Sequence, residues 1–141
     1  MGTRALIGMF VDGVIEYNYV HYDGYVTQGV GDQLIRYYSD DEAVIEDMVL
    51  GREMRSLYSP DEMTRDAYLD ITSPMLPRSG IKSVSGFLDI ADKQYGAEYA
   101  YLWNDEYGYW DCWLRNFATG NWITVDMYAV RDSEDSVVYA A

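Results

Sequence analysis

The apolar and polar positions change rhythm three times along this chain, and each change predicts a different element. Ala5 to Phe10 is a short apolar run, and Val11-Asp12-Gly13 follows with the Asp-Gly pair of a hairpin turn. Val14 to Tyr22 then alternates loosely, with Ile15, Tyr17 and Tyr19 on one face and Glu16 and Asn18 on the other. The pattern predicts two strands joined by a tight turn.

The period then lengthens to that of a helix. Val30, Leu34, Ile35 and Tyr38 predict a helix from Gly31 to Tyr38. Ser39-Asp40-Asp41-Glu42 reads as a capping box, in which Ser39 caps and Glu42 reaches back. The helix it opens turns Val44, Ile45, Met48 and Val49 inward and ends at Gly51. Ser59-Pro60-Asp61-Glu62 repeats the device with Pro at the first helical position. It predicts a helix carrying Met63, Ala67 and Ile71, which stops before Ser73-Pro74. Ser73 to Gly80, with Pro74 and Pro77, predicts a loop. Val84, Phe87, Leu88, Ala91 and Tyr95 then mark a helix closed by Gly96.

After Gly96 the period falls to two. Glu98 to Trp103 predicts a strand with Tyr99, Tyr101 and Trp103 on one face. Tyr109 to Arg115 predicts a second, with Trp110, Cys112 and Leu114 sharing a face, and Trp122 to Val130 a third. Arg131 to Ser136 is charged, and Val137 to Ala141 reads as a short edge strand or a frayed end. The order is an N-terminal β-hairpin, a helical middle and a C-terminal three-strand antiparallel meander. This predicts one α+β domain over residues 1–141, built as one antiparallel sheet with helices on one face.

Composition narrows the functional class. Apolar residues form 49% of the 141 positions, enough for a core and too many for a disordered acidic tail. Fifteen Tyr and four Trp suit recognition surfaces as well as cores. The 24 acidic and 10 basic side chains give a formal charge of −14. A field of that sign repels nucleic acid and anionic membranes and favours basic partners. A single Cys, Cys112, excludes an internal disulfide framework and points to a reducing, cytoplasmic setting. No stretch has the run of apolar residues that a membrane span needs, and the start lacks the apolar core of a secretion signal.

Candidate chemistry gathers around His21-Tyr22-Asp23-Gly24-Tyr25, which holds the chain's single His. His21 and Asp23 lie two apart, so in an extended segment they would share a face as an imidazole–carboxylate pair. No nucleophile motif accompanies them. The structural reading, in which the cluster shapes the turn into the first helix with Gly24 at positive φ, outweighs catalysis. One His and one Cys make a poor metal-ligand set, and no calcium-loop spacing is present, so neither a metal nor a cofactor is expected. Gly29-Val30-Gly31 could cradle a phosphate at a helix start, but it lacks the Lys of a nucleotide loop and Asp32 occupies the phosphate's place. Arg4 is expected to pair with Asp23 or Glu16 across the hairpin.

The stretch from Asp32 to Asp70 carries eleven carboxylates against four Arg. On predicted helices they recur at spacings of three, four or six, so they would line outward faces and imitate the phosphate rhythm of a duplex. The candidate partner-binding set is Asp40, Asp41, Glu42, Glu46, Asp47, Asp61, Glu62, Asp66 and Asp70. The alternative is a pair of solvated, well-capped helices.

Gly2-Thr3-Arg4, the strand after it, Tyr19-Val20-His21-Tyr22-Asp23-Gly24-Tyr25, Gly29-Val30-Gly31 and Leu34 resemble a loose group of small phage, prophage and bacterial proteins. Tyr95-Gly96-Ala97-Glu98-Tyr99 is similar to the later part of that group. Ala5 stands where Ser is common in it, and Tyr22 where Trp is common. The resemblance covers roughly the first forty residues well and the rest weakly. It implies a phage or mobile-element origin and carries over no catalytic residue.

The leading reading is a non-enzymatic cytoplasmic protein of an infected or lysogenic bacterium. It would bind and inhibit a basic host protein that handles nucleic acid, such as a restriction or CRISPR effector, without binding nucleic acid or membrane itself. A second reading places a nucleotide-sized ligand or a reaction at Arg4, His21, Asp23 and Tyr25. A third is a homo-oligomer assembled through the aromatic strands.

Overall fold

A computed structural model describes residues 3–69 and 80–130. Its spine is β1 (Ala5–Val11), an apolar run whose residues Ala5 to Met9 are all buried. A strand apolar at every position can be stable only if both its faces are covered, and here both are. β2 (Val14–Val20) folds back antiparallel through Asp12 and Gly13, both at positive φ, with Ala5 opposite Val20.

The remaining strands are β3 (Tyr99–Asn104), β4 (Tyr109–Arg115) and β5 (Trp122–Val125). Together they form one five-stranded sheet ordered β2-β1-β3-β4-β5. The β3-β4-β5 meander is antiparallel, but β3 lies parallel to β1, from Ala5 beside Tyr99 to Met9 beside Trp103. The sheet is therefore mixed, not wholly antiparallel. The long connection between β2 and β3 returns the chain to the start of the sheet, where the hairpin partner already occupies the other side of β1.

Helices cover both faces, where the sequence pattern suggested one. α1 (Val30–Tyr37) and α2 (Glu42–Val49) supply Leu34, Ile45 and Val49 to a core with Ile7, Met9, Tyr101, Trp103, Trp110 and Cys112. α3 (Val84–Lys93) presses Phe87 and Ala91 onto the opposite face, against Leu6, Ile15, Tyr17 and Leu102. The Phe87 ring lies so close to β1 that a Cβ on Gly8 would stand 2.8 Å from it. An Arg115–Asp92 ion pair ties α3 to β4.

Several local expectations change. The third helix, expected from Pro60, is two single 3₁₀ turns, Pro60–Glu62 and Arg65–Ala67. The backbone there pairs outward instead: Arg55 and Ser56 donate to the Ala67 carbonyl, and Leu69 donates to the Glu53 carbonyl. This tertiary pairing outcompetes helix propensity. β2 ends at Val20, short of Tyr22, and β5 ends at Val125, short of Val130. β5 stops because the Asp126 carboxylate accepts the Ala129 N–H and starts a helical turn. Asp41, not Ser39, caps α2, taking the Ala43 N–H at 3.0 Å. The Ser39 hydroxyl turns back to the Leu34 carbonyl, and Ser59 bonds the Glu62 carboxylate. Asn18 faces the core, not solvent. It is 3% exposed, and its amide donates to the carbonyls of Met48 and Arg52, both 2.9 Å away. The loop from Ser73, the end of the predicted third helix with Ile71, and the 131–141 tail lie outside the described residues.

Candidate functional site

Asn18 fixes where α2 sits. Its amide donates to the carbonyls of Met48, in the last turn of α2, and of Arg52, just beyond it, and so ties the end of the helix to β2. Glu42 fixes the other end, since its carboxylate accepts the Trp103 indole N–H at 3.3 Å. α2 then runs beside the 3₁₀ segment, and a cleft of about 240 Å³ opens between them. Val44 and Met48 of α2 form one wall, and Pro60, Met63 and Tyr68 the other. Met54, 1% exposed, closes the bottom.

Two further residues shape the chemistry of the cleft. Asp47 is exposed and brings a carboxylate to the lining. Tyr38 is buried and donates its hydroxyl to the Tyr58 carbonyl at 2.8 Å. Burial pushes the Tyr38 phenol up to about 12, so it remains a donor at any physiological pH. The Arg52 guanidinium lies 5.4 Å over the Tyr68 ring and donates to the Leu69 carbonyl. The cleft is thus apolar and sulfur-rich, with one carboxylate, Asp47, in its lining.

Of the predicted partner-binding residues only Asp47 lines this cleft, and the others differ in exposure. Asp40, Asp47, Asp61 and Asp66 are exposed. Asp41, Glu42 and Glu62 are exposed too, but each has an internal bond, to Ala43, Trp103 and Ser59. Glu46 is half-buried, and Asp70 lies outside the described residues. Tyr37, Leu50 and Tyr58 stand 43–44% exposed in the same stretch of chain.

Arg4, His21, Asp23 and Tyr25 make their hydrogen bonds to different partners. Arg4 donates to the Tyr95 carbonyl, beyond the end of α3, at 3.3 Å. His21 Nδ1 shares a 2.7 Å hydrogen bond with the Tyr19 hydroxyl. Asp23 accepts from the Tyr25 hydroxyl at 3.0 Å. The expected His21–Asp23 alignment needed an extended backbone, but the strand ends at Val20 and Asp23 takes φ 59°. The hollow beside them, lined by Tyr22, Asp23, Gln28, Gly29 and Tyr58 among others, holds about 80 Å³. That is well under the ~300–1,000 Å³ of ordinary ligand pockets.

What this loop does is close the fold. The Gly24 N–H donates to the Thr3 carbonyl at 2.8 Å, and its own carbonyl accepts the buried Tyr101 hydroxyl at 2.6 Å. Gly24 does not take the positive φ expected of it; Asp23 and Gln28 do. The glycine is needed for space: a Cβ would stand 2.7 Å from the Thr3 oxygen. At the start of α1, the Asp32 carboxylate takes the Gln28 N–H at 2.7 Å, which occupies the candidate phosphate cradle from within.

Among the described residues no group of three His, Cys, Asp or Glu could hold a metal ion, and no helix is long and apolar enough to cross a membrane. The sequence pattern placed Met48 and Met63 on buried helix faces. That they meet Met54 and Tyr68 across a gap follows only from how the 3₁₀ segment folds back. Compared with known protein families, curated proteins and solved structures, the chain matches none.

Proposed function

We propose that this protein is a non-enzymatic, phage-type inhibitor that binds a basic nucleic-acid-handling protein of a bacterial host, such as a restriction or CRISPR effector. It covers the groove in which that protein would hold nucleic acid. The supporting observation is the density of carboxylates, several of them exposed, in the stretch of chain that builds the apolar cleft, with Asp47 in its lining. Residues 40–69 carry nine carboxylates against three Arg, a local balance of −6. Such a patch steers a basic surface into encounter and then competes with phosphates for the same Arg and Lys side chains. The exposed Tyr37 and Tyr58 supply amphipathic contact area of the kind that anchors interfaces.

The test is displacement. The protein is titrated into purified restriction enzymes and CRISPR effectors bound to fluorescent duplex, beside a variant carrying Asp40→Lys, Asp47→Lys, Asp61→Lys and Asp66→Lys. Each reversal adds two charges, taking −14 to −6. These positions are exposed and none caps a helix, so the fold is expected to hold. The native protein should release duplex from at least one effector, less so as salt rises, and the variant should not. Equal release by both proteins, or release from none, refutes the proposal.

A further inference from the structure

We propose that the cleft between α2 and the 3₁₀ segment receives one bulky apolar side chain, aromatic or Leu-sized, from a basic polypeptide segment whose flanking Lys or Arg side chains meet the carboxylates at the rim. The inference rests on the acidic-face reading above and adds the contact that makes it specific.

Size selects the class of occupant. About 150 Å³ suffices to hold a benzene ring. The cleft's 240 Å³ therefore takes a phenyl-sized group with its linking methylene. It falls short of the ~300–1,000 Å³ typical of whole-ligand pockets. A single anchoring side chain on a larger partner fits this volume.

Lining chemistry selects the side chain. Met48 and Met54 supply thioether side chains, which are polarizable and adapt their rotamers to an incoming ring, while the Met63 sulfur accepts the Tyr58 N–H at 3.3 Å. The aromatic wall, Tyr68, is stacked by Arg52 and so is held in place. Tyr38 is tied through its hydroxyl to Tyr58. The cleft thus combines rigid aromatic walls with a deformable floor.

Charge selects the flanks. Asp47 lines the opening itself, and Asp61 and Glu62 directly follow the Pro60 wall. An apolar anchor between acidic side chains would meet repulsion here, and one between Lys or Arg would meet attraction. A second copy of this chain would bring the same negative field, at −14 per chain.

The experiment uses the whole protein with its seven Met methyl groups isotopically labelled and observed by NMR. The probe is a short synthetic peptide with a central Phe between Lys and Arg residues. Comparison peptides replace the Phe by Ala, or the basic flanks by Ser. The expected result is a titration that shifts the methyls of Met48, Met54 and Met63 and leaves Met9 and Met127 in place. The Ala peptide should bind about tenfold more weakly or worse. Asp47→Lys should weaken the Phe peptide without altering the free protein's methyl spectrum elsewhere. Equal binding of the Phe and Ala peptides, with no shift at the three methyls, overturns the cleft and leaves the acidic face standing. Failure of both basic peptides to bind at low salt overturns both. Equal binding of the Ser-flanked peptide overturns the basic partner, and methyl shifts that follow protein concentration without peptide assign the cleft to a second copy.

Discussion

Trp110 is a fully buried member of the larger core, and its removal gives the sharpest test of the fold. The residue is 2% exposed, and its ring centroid lies 5.2 Å from that of Trp103. Its indole N–H donates to the Tyr38 carbonyl at 3.0 Å, satisfying one acceptor at the end of α1. Trp110→Ala removes a large buried aromatic, a change costing ~3–5 kcal/mol. It also orphans the Tyr38 carbonyl, worth ~1–3 kcal/mol if water does not replace the donor. These contributions overlap, so the expected loss is about 4–6 kcal/mol. Trp110→Phe keeps an apolar ring and loses the donor, so about 1–3 kcal/mol is expected. Urea unfolding followed by far-UV circular dichroism measures both. With a slope of ~2 kcal/mol/M, the Ala variant should move the midpoint by ~2–3 M and the Phe variant by ~1 M. An Ala variant within ~1.5 kcal/mol of the native protein would refute the packing argument. Equal losses in the two variants would refute the role given to the indole N–H.

Other predictions follow from single contacts. Gly24→Ala should cost ~2 kcal/mol or more, because its Cβ would meet the Thr3 carbonyl and the Ala5 side chain, whereas His21→Gln should cost under ~1 kcal/mol. Thermal melting of the two variants decides this, and the reverse order would return the His21 cluster to functional candidacy. Cys112 is fully buried, and burial pushes its thiol up to about 12, so a thiol reagent at pH 8 should label the unfolded chain and not the native one. Prompt native labelling would place Cys112 at the surface. Stability should fall in alkali: Cys112 rises from 9.0 to about 12 and Tyr38 from 10.0 to about 12 on folding, and burial raises Tyr101 as well. A group whose pKa is raised by folding stabilises fully below its unfolded value and loses that contribution as pH climbs to the folded one. The chemical-denaturation midpoint should therefore drop between about pH 9 and 12, and a flat profile there would contradict the burial of these groups.

Elements whose signals are local could be read from the order of residues alone. The Asp12-Gly13 turn, the Leu34 and Ile45 helix stripes, the Phe87–Ala91 stripe and the first two late strands appear where the period places them, while the third ends at Val125, short of Val130. Trp110 and Cys112 face inward as their spacing requires. Carboxylate density is likewise a property of the chain before it folds. Features that depend on distant partners emerged with the fold. The parallel pairing of β1 with β3 joins residues more than ninety positions apart, and no local pattern encodes it. The apolar run of β1 hints that both its faces are covered, but not by which helices. The segment after Pro60 has helical spacing, yet its carbonyls and amides are claimed by residues 53–56, so it folds into 3₁₀ turns instead. That claim also opens the Met-lined cleft. Gly24 is needed because Thr3 and Tyr101 converge on it, and such crowding exists only once the termini of three strands have met. Periodicity records which side of an element is apolar; it carries no record of what that side will touch, and the candidate site is made of such contacts.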